Sequence, residues 1–178
     1  PFHDPDGWRG ALFLIIAAAW GLVLGGYTGM LIMVSNAPTW SHDPLLPPLF
    51  MASGVATGSA VIYLVAHSTG VSDSIGRHRV LRTGALALAF EVILLIAMAL
   101  LGIGSVSPIY LGGWGVLFWI VILPFGFVLP LVLLLMAEFR NRELIRNASV
   151  VGAALVLFGG ILLRLFEVFG GQAYYVPY

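Results

Sequence analysis

Five long apolar stretches alternate with short polar segments along this chain. A helix needs about 20 apolar residues to cross the hydrocarbon core of a bilayer, and each stretch reaches that length. The pattern predicts helices near 10–34, 45–67, 80–103, 113–137 and 147–169, an all-α polytopic bundle with residues 1–178 as a single transmembrane domain. Asn36 to Asp43 and Ser105 to Gly113 are then loops on one side of the membrane, and Gly170 to Tyr178 is a tail on that side. Pro44, Pro47 and Pro48 fall at the start of the second helix, where proline costs little. Pro124 and Pro130 fall inside the fourth and predict a kink. Gly21, Gly25 and Gly29, like Gly54 and Gly58, recur at four-residue spacing, a stripe that lets another helix approach closely.

Charge adds a direction to this pattern. All eight basic residues are arginines, and seven lie in alternate connections. Arg9 precedes the first stretch, Arg77, Arg79 and Arg82 follow the second, and Arg140, Arg142 and Arg146 follow the fourth. Cytoplasmic loops carry the Lys/Arg excess. The expected topology starts in the cytoplasm, crosses five times and ends outside.

Composition narrows the chemistry. With 60% hydrophobic and 9% charged residues, the chain is far from a soluble domain, which carries about 25% charge. Net charge is zero, and no basic patch points to nucleic acid. There is no cysteine, so no iron–sulfur cluster can be ligated here by thiolates. His3, His42, His67 and His78 all fall outside the middle of a span, which argues against an intramembrane bis-histidine haem. No metal-binding or catalytic constellation is evident.

The order of several motifs is more specific. Tyr27-Thr28-Gly29, then Asn36-Ala37-Pro38-Thr39-Trp40, then Leu45-Leu46-Pro47-Pro48-Leu49-Phe50-Met51-Ala52-Ser53-Gly54 resembles the polysulfide reductase membrane subunit family (NrfD-like). Gly159-Gly160 with Leu163-Arg164 and Gly171-Gln172 resembles that family's last core helix. The five spans resemble the fourth to eighth of a fold with eight or more. The resemblance therefore implies roughly three or more further spans before Pro1, or a neighbouring chain that supplies them, completing a two-bundle fold. It also implies a multi-pass protein of the prokaryotic inner (cytoplasmic) membrane that exchanges electrons between quinone or quinol, menaquinone or ubiquinone, and an extracytoplasmic iron–sulfur subunit. That subunit would in turn serve a catalytic subunit, often a molybdopterin enzyme. Two alternatives stay open: a redox-coupled proton-translocating subunit of the same fold, as in alternative complex III, and a purely structural anchor.

Within that frame, the polar residues of the spans are candidates. Glu91 sits about halfway along the third helix with no charged residue nearby in sequence. Desolvation favours its neutral acid, so it reads as a proton relay, a quinone-linked carboxyl, or an acid hydrogen-bonded to a neighbouring helix. Arg164 and Glu167 are three apart on one face of the last helix and can pair. They read as a polar wall near a quinone or a partner subunit, with Arg164 a quinone candidate and Glu167 a proton-transfer candidate, or as a structural ion pair. Tyr27 could donate to a quinone carbonyl or belong to the interfacial aromatic belt, and Trp40 is a further quinone candidate. His67 and Glu138, at cytoplasmic helix ends, could form the inner mouth of a proton path through Glu91. His42, Asp43 and Gln172 are candidates for partner contact on the outer side; the first two could instead relay protons released outside or belong to a solvated loop.

Overall fold

The computed structural model describes residues 7–34, 43–70, 74–101, 107–139 and 142–173. Every regular element among them is helical: α1 Trp8–Val34, α2 Leu46–Ser68, α3 Ser74–Leu101, α4 Ser107–Leu111, α5 Gly113–Leu117, a π-helical segment Phe118–Val128, α6 Leu129–Phe139 and α7 Arg142–Ala173. Five helices are long and apolar enough to cross a membrane, the fourth being the continuous rod of α5, the π segment and α6. Their number and order match the apolar pattern.

Several boundaries differ from the sequence reading, including the end of α7, which runs to Ala173 into the stretch read as a tail from Gly170. The stretch from Ser105 to Gly113 is not wholly a loop, because it contains α4. The helices α3 and α7 also begin earlier than predicted, at Ser74 and Arg142. Arg77, Arg79, Arg82, Arg142 and Arg146 therefore sit within the first three turns of helices, not in connections. A helix satisfies its own backbone hydrogen bonds, so it can run past the apolar layer while its basic side chains reach water. The bundle thus has an arginine-rich end and an arginine-poor end. The latter carries Asp43, α4 and the C-terminal part of α7.

The core is built by α2, α3, the π segment, α6 and α7. Leu46, Leu49, Ala56, Leu88, Leu95, Met98, Phe118, Ile122, Phe127, Leu163 and Phe166 fill it. Lipid is as apolar as these side chains, so close packing rather than water exclusion must hold such helices together. Small residues decide where that happens. A Cβ on Gly159 of α7 would collide with the Gly126 backbone, and one on Gly126 would lie 2.8 Å from the Gly159 Cα. A Cβ on Gly29 of α1 would lie 2.6 Å from the Pro47 Cα of α2.

The rest of the α1–α2 glycine stripe is not used in this way. Gly25 packs against Met51, but a methyl group placed on Gly21, Gly54 or Gly58 would meet nothing within 4 Å. Two rods in contact at one end separate toward the other. Here they leave a groove of about 520 Å³ lined by Ala18, Gly21, Leu22, Met51, Val55 and Ile62 among others. Gly29 is the one buried residue of α1.

In the fourth span, Pro124 has no N–H to donate and its ring crowds the preceding turn. The helix responds by widening: the Leu129 N–H bonds back to the Pro124 carbonyl, five residues away. The expected kink is thus expressed as a run of π turns. Gly126, which touches Gly159, lies inside this segment. At α2 the prolines behave as predicted, with Pro47 and Pro48 in the first turn. Asp43 prepares that start by accepting the Leu45 N–H on Oδ1 at 2.9 Å.

Candidate functional site

Glu91, on α3, is 1% exposed, and Glu167, on α7, is likewise 1% exposed. Helical spacing explains both. Glu91 shares a face with Leu88, Leu94, Leu95 and Met98, and Glu167 follows Leu163 and Phe166 on the buried stripe of α7. The bundle therefore directs two carboxyl groups into its interior, within electrostatic range of one another. Arg164 lies within range of both. Its own side chain is exposed on α7, so the guanidinium forms the rim of the cluster rather than its floor. Arginine cannot shed its charge, so this rim demands polar company within the apolar layer.

Ser53, on α2, completes the cluster. It is 3% exposed, and its hydroxyl neighbours the Glu91 carboxyl. Gly160 makes room for this approach, because a Cβ there would meet Thr57 Cγ2 at 2.8 Å and Ser53 Oγ at 3.9 Å. Thr57 donates its hydroxyl to the Ser53 carbonyl at 2.7 Å. By contrast, Ser53 Oγ and Glu91 Oε1 have no hydrogen-bond partner among the described residues. An unsatisfied buried polar atom costs about 1–3 kcal/mol. A site that gathers such atoms is suited to a polar guest.

At the arginine-poor end the cluster continues. Tyr110, on α4, is 1% exposed and lies within electrostatic range of Glu167 and Asp43. Its ring is held edge-on to Phe118 at 4.7 Å between centroids and beside Phe166 at 5.6 Å. Its carbonyl accepts the Trp119 indole N–H at 3.0 Å. Asp43 is 2% exposed, and burial raises the pKa of its carboxyl above the ordinary aspartate value.

Toward the arginine-rich end the interior changes character. Ala56, Ala60, Val80, Leu81, Leu134, Ala153 and Val156 line it, with Ser59 the polar exception, around a cavity of about 10 Å³. Such a space holds at most one water, and a water needs two to four polar partners. Ser149 is buried nearer that end.

The sequence candidates separate accordingly. Glu91, Arg164, Glu167 and Asp43 come together. Tyr27 does not join them: it is 56% exposed on α1. His67 stacks on the buried Tyr63, centroids 6.3 Å apart, and the groups that influence Glu91 are Ser53 and Arg164 instead. Gln172 is exposed near the end of α7. Trp40 and His42 lie outside the described residues, as does the side chain of Glu138. Ser53 and Tyr110 were missed. Ser53 was quoted only as part of a motif, yet it sits on the face of α2 marked by Leu49, Ala56 and Ala60. Tyr110 follows Ser107-Pro108, a helix-start pair that could have flagged α4. Among the described residues no three His, Cys, Asp or Glu side chains converge as metal ligands.

Comparison with known proteins fits this picture. The family model described as "Polysulphide reductase, NrfD" matches residues 9–176. A protein NrfD homolog of Haemophilus influenzae is 30% identical over 90% of this chain and 52% of its own length. Protein NrfD of Escherichia coli is 29% identical over 92% and 53%. A polysulfide reductase chain of Wolinella succinogenes is 27% identical over 90% and 53%. The chain thus spans about half the length of the curated relatives it matches. No solved structure gives a significant match.

Proposed function

Because the chain belongs to the polysulphide reductase NrfD family, we propose that it is part of the membrane subunit of a respiratory oxidoreductase and works on quinone or quinol there. The observation that carries this reading is the intramembrane cluster of Glu91, Glu167, Arg164 and Ser53. Carboxyls and an arginine in an apolar layer are costly, which makes them functional-site candidates by default. A quinone couple exchanges two electrons and two protons per turnover. The Glu91 carboxyl and Ser53 hydroxyl suit a quinone carbonyl or quinol hydroxyl, since each can donate or accept. The Arg164 guanidinium at the rim suits the negative charge that develops as electrons arrive. Electrons are exchanged with a cofactor of another chain, in this proposal an iron–sulfur subunit docked on the arginine-poor end near Gln172, with a catalytic subunit beyond it. Among the described residues the mostly apolar lining of the cavity toward the arginine-rich end favours this quinone-linked reading over proton translocation across the bundle. Purified from membranes with its partners, the complex is expected to retain quinone and to show quinone-dependent redox change of the iron–sulfur centres. Clusters that respond to an artificial donor but never to quinone or quinol would overturn the reading.

The arginine asymmetry supports an arginine-rich end in the cytoplasm. Single cysteines at Ser68, exposed at the end of α2, and Gly113, a glycine with open space around it, test it. An impermeant thiol reagent applied from outside should label the second and spare the first. The reverse result would invert the topology and move the proposed docking face.

A further inference from the structure

We propose that Tyr110 and Asp43 form the terminal arm of a proton path that leads from the Glu91–Glu167 site to the arginine-poor end of the bundle. The inference rests on the quinone reading above and extends it to groups on α4 and at the α2 start that sequence reasoning did not connect.

Three observations carry it. The Tyr110 hydroxyl and Asp43 Oδ2 are buried, come from different segments, and have no hydrogen-bond partner among the described residues. Both lie within electrostatic range of Glu167, which lies in turn within range of Glu91. And among the described residues the buried carboxyls, Asp43, Glu91 and Glu167, lie from mid-bundle to the arginine-poor end, while mostly apolar side chains line the cavity on the other side. Orphaned buried oxygens of this kind are ordinarily satisfied by water. Water between Glu167, Tyr110 and Asp43 would turn separate groups into a connected chain.

The chemistry of the groups matches the task. A phenol both donates and accepts, so Tyr110 can take a proton on its oxygen from the Glu167 side while its own proton moves to the Asp43 carboxylate. No electron moves and no bond other than O–H is made or broken. When protonated Asp43 gives its proton to solvent, the arm is reset. Run backward, the same steps carry protons inward for quinone reduction. Asp43 suits the terminal position because burial raises its proton affinity, while Oδ1, bonded to the Leu45 N–H, leaves Oδ2 to carry the exchangeable proton. The groups facing it are Tyr110 of α4 and Glu167 of α7. The aromatic cage of Phe118 and Phe166 fixes the phenol, so Tyr110→Phe removes the hydroxyl and keeps the packing.

The test uses the complete complex reconstituted in vesicles. Tyr110→Phe and Asp43→Asn are each expected to slow quinone-coupled turnover about tenfold or more and to raise its solvent deuterium isotope effect. Turnover with an artificial donor to the iron–sulfur subunit should stay at the wild-type rate, and Asp43→Glu should recover much of the loss. Wild-type turnover in both variants would overturn the inference, as would slower turnover with an unchanged isotope effect. Failure of both variants to assemble would assign the residues a structural role and overturn it too. If the unmodified complex has no quinone-dependent turnover at all, the quinone reading itself falls, a result separable from loss in the variants alone.

Discussion

Glu91→Gln is expected to cut quinone-coupled turnover by about 100-fold, within the range that a positioned proton donor or acceptor contributes. The glutamine has nearly the same shape and keeps a polar group beside the Ser53 hydroxyl, so α3 should pack as before. What it loses is the exchangeable proton. The expected signature is therefore a split: assembly and turnover with an artificial donor survive, while turnover with quinone or quinol collapses. The position explains the size of the effect. Glu91 is 1% exposed, and among the described residues the titratable neighbours that influence it belong to the same cluster, so no bulk solvent stands ready to substitute as proton carrier. The expected loss exceeds that for the terminal arm because solvent lies closer to Asp43. Wild-type quinone activity in Glu91→Gln would reduce the residue to a packing element and remove the central group from the proposed site.

How much of this was legible beforehand depended on the kind of signal. Apolar run length and arginine placement are local, so the five spans and the two chemically distinct ends could be read directly. Glu91 and Glu167 were legible because a carboxyl in an apolar run is rare whatever its neighbours. That they share a site with Asp43 was not legible. Asp43 reads as a loop residue, and its burial arises from an Asx-type turn onto the Leu45 N–H together with the fold of α4 over that end. Tyr110 was hidden for a related reason. A five-residue helix carries no periodicity long enough to reveal which side chain turns inward. The glycine stripe on α1 illustrates the opposite error. Four-residue spacing says that a helix can approach, not that one does, and only Gly29 and Gly25 meet α2 closely. Pro124 was read as a kink because the sequence locates a missing donor but not how the backbone will compensate. The π turns became visible only in the structure.

Gly159→Ala should be among the most damaging single-methyl changes in the bundle. Its Cβ would collide with the carbonyl oxygen of Gly126, and the surrounding Gly126 atoms belong to backbone rather than to a flexible side chain. Nothing can rotate away. Either α7 moves off the π segment, or the π segment shifts against its neighbours. Overpacking a core by a methyl group costs about 1–3 kcal/mol where side chains can adjust, and more where they cannot. Helix association in a membrane depends on such close approach, since lipid offers the separated helices an equally apolar environment. Moving α7 also displaces Phe166 from Tyr110 and carries Arg164 and Glu167 away from Glu91, so the damage should reach the site. The expected result is a marked fall in assembled complex in the membrane and a lower thermal midpoint for what remains. Gly113→Ala serves as the control, because a methyl there meets nothing within 4 Å, and it should assemble normally. Wild-type levels and thermal midpoint for Gly159→Ala would mean that the α7 contact with the π segment does not set the spacing of the bundle.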